Sequence, residues 1–218
     1  MQVTDLVLFK NNQFIALNKP AGMPVQDDES EDSSLHGIAR AYTKSDVYLV
    51  HRIDRPASGI VLFAKTKNAA TAISAQFRAR SVKKTYLAAV KTAPPQPEGT
   101  IFHYITHDKK RNKSHVYDIP EPGSKRAELS FKTLRTTDNY TILEIDLLTG
   151  RHHQIRAQLA ALGSPIKGDV KYGARRANKD RGIHLHAWKL DFEHPVSGEP
   201  VQIEAEPPLE DAIWQLMR

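Results

Sequence analysis

An aspartate between two arginines stands in the segment His51-Arg52-Ile53-Asp54-Arg55-Pro56-Ala57-Ser58-Gly59, just ahead of the apolar run Ile60 to Ala64. Guanidinium charge nearby favours the ionised carboxylate. An ionised carboxylate can serve as a nucleophile or as a general base. The same charges would equally serve a salt-bridged turn, and these residues alone leave both readings open. Arg156 lies on the polar side of a segment whose Ile155, Leu159 and Leu162 recur at helical spacing. A planar guanidinium can fix a carboxylate through two parallel hydrogen bonds. Tyr86 opens an apolar stretch, as an aromatic platform or as a core ring.

Strand signals dominate the elements that must hold these residues. Phe14 to Leu17 is a short apolar run ending at Asn18-Lys19-Pro20, and Ile60 to Ala64 is a second, entered through Gly59. Ala127, Leu129 and Phe131 alternate with polar residues, and Tyr140 to Leu148 should pair with them across the Thr137-Asp138-Asn139 turn. Ile183, Leu185 and Ala187 alternate with His184, His186 and Trp188, and Val201 to Ala205 is a last short strand. Helices are expected at Asn68 to Arg80, at His152 to Leu162 with Gly163 as C-cap, and around Leu209, Ile213 and Leu216 after Pro207-Pro208. The acidic run Asp27 to Asp32 reads as a surface loop before a short helix capped by Ser33 or Ser34. Antiparallel pairs with few interleaved helices predict an α+β fold, a mixed and mostly antiparallel sheet with flanking helices. Residues 1–218 are expected to form a single domain, with Ala93 to Pro97 separating two halves that share one sheet.

There is no cysteine among the 218 residues, so disulfides and Cys-based zinc sites are excluded and a reducing cytoplasm is the expected setting. No signal peptide and no run near 18 apolar residues is present, and no membrane association is expected. The formal net charge is +6, unevenly placed. From Lys167 to Arg181 there are six basic and two acidic residues, and Lys109, Lys110, Arg111 and Lys113 form a second basic cluster. Between Lys189 and Arg218 there is no Lys or Arg. A polyanion such as RNA would be drawn to the basic surface by counterion release, although a solvated surface would look the same.

His51-Arg52-Ile53-Asp54 with Ser58-Gly59 resembles the second motif of RluA-type RNA pseudouridine synthases. Further segments resemble that family in the same order. They are Asn18-Lys19-Pro20-Ala21-Gly22, Lys83-Lys84-Thr85-Tyr86, Gly150-Arg151-His152-His153-Gln154-Ile155-Arg156, Gly168-Asp169-Val170-Lys171-Tyr172-Gly173, and His184-Leu185-His186-Ala187 with His194-Pro195. The resemblance implies a pseudouridine synthase catalytic fold with a central active-site cleft. It also implies an isomerase that breaks the N1–C1′ bond of specific uridines in structured rRNA or tRNA, turns the uracil and rejoins it through C5. Asp54 then matches the catalytic carboxylate, Tyr86 the residue that stacks on the base, and Arg156 the cation paired with the carboxylate. Arg52 matches a residue that fills the space of a flipped nucleotide, and Ile155 an apolar neighbour of the base. His51 and Lys19 join the expected substrate-binding set, and Lys167, Lys171 and Arg175 are the expected RNA contacts. Ala57 and His152 depart from the family pattern, which commonly has Thr at both places. The first motif begins almost at the N-terminus, so no S4-type RNA-binding domain is expected. A monomer without a cofactor is expected.

Other chemistries are weaker on the residues. His152, His153, His184 and His186 suggest a metal, but no acidic or Cys partner stands at a recognised spacing, and none is expected. A glycosidase needs two carboxylates flanking the bond, and only Asp54 has a motif context. A non-catalytic RNA-binding protein on this fold would have lost the carboxylate.

Overall fold

The computed structural model describes residues 3–28 and 32–217. In chain order its strands are β1 (Val7–Lys10), β2 (Phe14–Lys19), β3 (Tyr48–Leu49), β4 (Ser58–Ala64), β5 (Lys83–Val90), β6 (Glu98–Asp108), β7 (Lys113–Tyr117), β8 (Lys125–Thr136), β9 (Thr141–Leu147), β10 (Leu185–Glu193) and β11 (Pro200–Glu204). Its helices are α1 (Leu35–Thr43), α2 (Lys67–Ala79) and α3 (Gln154–Ala161). Contacts divide the chain into two compact units. The first holds the described residues through Lys84 together with His186–Pro207, and the second holds Thr85–Leu185 with the described residues from Pro208 onward. The segment Ala93 to Pro97, expected at the boundary, instead joins β5 to β6 inside the second unit.

In the first unit the strand order is β1-β2-β4-β10, with β11 on β10 and β3 on β4. These pairings are antiparallel except β10 with β4, which is parallel. Every residue of β4 is buried, as are most of β2, which is why both read as continuous apolar runs without alternation. One face, with Phe14, Ala16, Ile60 and Leu62, packs with Ala69 and Ile73 of α2 and with Leu190, Phe192 and Ile203. On the other face His36 of α1 stacks against Phe63 at 5.7 Å. Both helices start on polar caps, that of α1 being one of the two expected. Ser34 Oγ accepts from Gly37 N at 3.0 Å, and Thr66 Oγ1 accepts from Ala69 N at 3.1 Å. Of the acidic loop that precedes α1, residues 29–31 lie outside the described residues.

In the second unit the order is β5-β9-β8-β6-β7, antiparallel throughout. Ala127, Leu129 and Phe131 are buried on one face of β8, as their alternation predicts. The expected pairing of the Tyr140 segment holds, with Leu129 opposite Leu147 and Phe131 opposite Ile145. β6 and β7 were not anticipated. Ile101, His103 and Ile105 supply the buried positions of β6, and a histidine among them hides the apolar period.

Three expected elements differ. α3 starts at Gln154 rather than His152, because His153 is left-handed with φ 50°. Its end is as expected. Gly163, at φ 76°, bonds back to Ala160 O, and Ser164 N bonds to Leu159 O, closing a Schellman-type cap. β10 does not alternate, since Ile183 through Ala187 are all buried. The expected C-terminal helix is only a 3-10 turn, Trp214–Met217. There Asp211 Oδ1 accepts from Ile213 N and also meets His184 Nε2, so the chain is pinned in place of an isolated helix too short to form alone.

Candidate active site

Asp54 lies half-buried on the loop between β3 and β4. Apolar neighbours seat its backbone: Ile53 and Ala57 are buried, and Ala57 N bonds to Asp54 O at 3.0 Å. The loop is then tied to the first motif. Gly22 N donates to Arg55 O, and Arg55 Nε donates back to Gly22 O, each at 2.9 Å. Lys19 completes the brace. Its side chain is fully buried, and Nζ donates to the carbonyls of Pro20, Met23 and Arg55, each at 2.9 Å. Three acceptors match the three N–H bonds of an ammonium. Burial pulls the Lys19 pKa down to about 7, while the Asp54 carboxylate pulls it up and Arg55 adds to the lowering.

The sequence predicts substrate contact for Lys19 and His51, and the structure shows the protein partners of each. The Lys19 ammonium has its hydrogens engaged by backbone and is sealed from solvent. His51 stacks on Phe77 at 4.7 Å, and its Nε2 accepts from Leu62 N of β4 at 2.9 Å. Burial, with Lys84 adding to it, drops the His51 pKa to about 3, so the ring is a neutral brace. Arg55 also does more than flank the aspartate, for its guanidinium binds Asp28 Oδ2 at 3.0 Å and Asp32. Arg52 is exposed, as a residue entering the space of an extruded nucleotide must be.

Ser58 and Gly59 close the motif for structural reasons that spacing did not reveal. Ser58 Oγ meets His186 Nδ1 at 2.8 Å, while His186 Nε2 meets Ala205 O at 2.8 Å. Gly59 has φ +109°, and a Cβ there would fall 2.3 Å from the Ala187 carbonyl oxygen. Only glycine lets β10 approach β4 this closely.

The second unit carries Tyr86 and Arg156. Tyr86 is largely buried on β5, opposite Ile145 of β9. Arg156 was expected on the polar face of its helix, and α3 is buried almost all round, with Arg156 4% exposed. Its Nε donates to Asp169 Oδ2 at 2.7 Å and its Nη2 to Asp169 Oδ1 at 2.9 Å. The Tyr172 ring lies 5.1 Å from the same guanidinium. Asp169 itself is 2% exposed. Sequence reasoning assigned Asp169 no role. The available signal was a lone acid between two glycines in a basic stretch. Its turn is fixed against β5, where Lys167 N bonds to Ala89 O and His184 N bonds to Lys167 O, each at 2.9 Å.

Ile155 is buried on α3. Among the expected RNA contacts, Arg175 and Lys171 are exposed, though Lys171 Nζ donates to Asn112 O at 3.0 Å. Lys167 is half-buried and donates to Asn178 Oδ1, so it holds its own loop. The histidines considered for a metal have other partners. His184 meets Asn178 and Asp211, and His186 meets Ser58 and Ala205. Among the described residues no group of three or more metal-ligating side chains is assembled.

Residues 13–161, more than half of the chain, match the family model of the RNA pseudouridylate synthases. The chain belongs to that family. Curated relatives agree with the RluA type. It is 31% identical to the tRNA pseudouridine synthase C of Pectobacterium carotovorum subsp. carotovorum, over 96% of this chain and 60% of the relative. It is 32% identical to the ribosomal large subunit pseudouridine synthase C of Yersinia pestis, over 97% of this chain and 68% of the relative. A solved structure of Human RNA Pseudouridylate Synthase Domain Containing 1 superposes with a TM-score of 0.79 at 25% identity, over 96% of this chain and 86% of that one. The α+β pseudouridine synthase fold predicted from the motifs is therefore the fold found, and the activity class is that of an isomerase.

Proposed function

We propose that the chain isomerises uridines to pseudouridines in structured RNA, ribosomal or transfer, with Asp54 as the catalytic carboxylate and Tyr86 and Arg156 completing the catalytic set. The observation that carries this reading is the loop of Asp54. A half-exposed carboxylate sits on a backbone locked from both sides by Lys19, Gly22 and Arg55. A group held this rigidly can meet a sugar carbon without reorganising at the moment of reaction.

The target base must leave its stack before the glycosidic bond can be reached. Arg52, exposed and cationic, is suited to the vacated space. The N1–C1′ bond then breaks, the uracil turns over its platform Tyr86, and the C5–C1′ bond forms. The C5 proton is lost, with Tyr86 as the proposed acceptor, and N1 gains one. Atoms and electrons balance within the nucleoside, so the reaction calls for no redox partner or group carrier. Asp54 serves either by attack on the nucleoside or by removing a ribose proton, and both roles need the ionised form. Lys171 and Arg175 are proposed contacts to the RNA backbone. The proposal extends to a monomer working in the cytoplasm. Among the described residues no helix is long and apolar enough to cross a membrane.

The test replaces Asp54 with Asn and maps pseudouridine in RNA incubated with the purified protein. Loss of product by orders of magnitude, with folding retained, is expected. Product formed by Asp54→Asn at the wild-type rate would remove the carboxylate from the chemistry.

A further inference from the structure

His152, where the family commonly has Thr, is the middle member of a column of rings. His107 of β6 stacks on His152 with centroids 3.7 Å apart and planes 22° apart. His152 stacks on His153 at 3.7 Å and 30°. Exposure rises along the column, from buried His153 through half-buried His152 to exposed His107. Its lower end is anchored by polar bonds. Tyr172 OH meets His153 Nδ1 at 3.0 Å and accepts from Ser114 N at 2.8 Å. Ser114 Oγ donates to His152 O at 2.6 Å and meets His152 Nδ1 at 3.1 Å. The rings are thus set before any ligand arrives.

The outer end of this column opens beside concentrated positive charge. The β6–β7 turn carries Lys109, Lys110 and Arg111, all exposed. Lys171 reaches Asn112 O of the same turn at 3.0 Å, so the two basic clusters seen in the sequence converge on one patch. Asp108, the acid beside His107, accepts from Arg111 N at 3.1 Å. An exposed ring on a rigid stack, bordered by cations, suits a base that has left its own stack and the phosphates on either side of it.

We propose that His107 is a stacking platform for an unpaired nucleobase of the substrate RNA other than the target uridine, with Lys109, Lys110 and Lys171 holding the neighbouring phosphates. This rests on the RNA-modifying reading above, which supplies the class of ligand. The column gives His152 a purpose that threonine cannot fill, since only a ring carries the stack outward to His107.

The experiment titrates the full chain into a single-stranded RNA of about eight nucleotides carrying one 2-aminopurine, and reads fluorescence quenching and Kd. Wild type is expected to quench. His107→Ala is expected to weaken binding about 10-fold to 100-fold and to lose the quench, while His107→Phe restores both. The pair Lys109→Ala and Lys110→Ala is expected to weaken binding with a shallower salt dependence. Quenching and affinity unchanged in His107→Ala, a His107→Phe variant as weak as the alanine variant, or no quenching by wild type would each overturn the platform. Asp54→Asn separates this from the catalytic reading. It should abolish product yet bind and quench the oligonucleotide like wild type, so failure of either claim shows in its own measurement.

Discussion

Replacing Asp169 with Ala would leave the Arg156 guanidinium buried without its bidentate partner. Arg156 and Asp169 are 4% and 2% exposed, and two charge-assisted hydrogen bonds of 2.7 and 2.9 Å join them. Removing one member of so enclosed a pair costs about 3–5 kcal/mol, because a buried charge loses two short, charge-assisted hydrogen bonds. For a chain of this size about 2–4 °C of melting temperature is lost per kcal/mol, which places the expected drop at about 6–20 °C. Asp169→Asn, which keeps one acceptor, should fall between wild type and Ala. The double variant Arg156→Met with Asp169→Leu removes both charges and should recover part of the lost stability. Its turnover should stay low, since the proposed catalytic cation is gone. Thermal unfolding by circular dichroism and pseudouridine formation on the same samples separate the two effects. A melting temperature for Asp169→Ala within about 4 °C of wild type, or a double variant no more stable than the single, would refute the argument that this pair is a desolvated unit.

Two further outcomes are expected. Gly59→Ala puts a methyl group 2.3 Å from the Ala187 carbonyl oxygen at a residue with φ +109°. It should cost more than about 3 kcal/mol or leave the protein insoluble, and a urea midpoint like that of wild type would contradict the close approach of β4 and β10. Acid should also destabilise the fold through His51, His153 and His186, whose pKa values burial lowers to about 3, 2 and 4. The sign follows from proton binding. Below pH 6.5 the unfolded chain protonates these rings and the folded chain does not, so stability is full above pH 6.5 and is lost as pH falls toward 4. Unfolding near pH 5 should take up about three protons from these groups, measured as the slope of unfolding free energy against pH. A flat profile from pH 6.5 to 5 would show that the rings are not held neutral.

Much of the loop around Asp54 was legible because its contacts are local. Asp54 needs its immediate neighbours, Ile53 and Ala57 inside and Arg52 outside, and apolar and charged residue types declare those preferences along the chain. The helix cap at Ser34 and the Schellman-type end at Gly163 were legible for the same reason, since a cap is satisfied within a few residues. The alternation of Ala127, Leu129 and Phe131 placed β8 because one face of it is buried and the other is not.

Pairings between distant residues were not legible. Nothing along the chain announces the Arg55 carbonyl that the fold brings to the Lys19 amine, or the Phe77 ring and Leu62 amide that meet His51. Arg156 reads as the polar face of an amphipathic helix, yet a helix covered on every side has no solvated face, and its charge is answered by Asp169 from another turn. The requirement for Gly59 is invisible without the Ala187 backbone against it. By itself the sequence determined the family and the motif in which Asp54 stands, because those depend on residue type and order. Tertiary structure alone decided which charged groups are scaffold and which face solvent, because a buried charge is tolerated only where distant backbone and side chains converge to satisfy it.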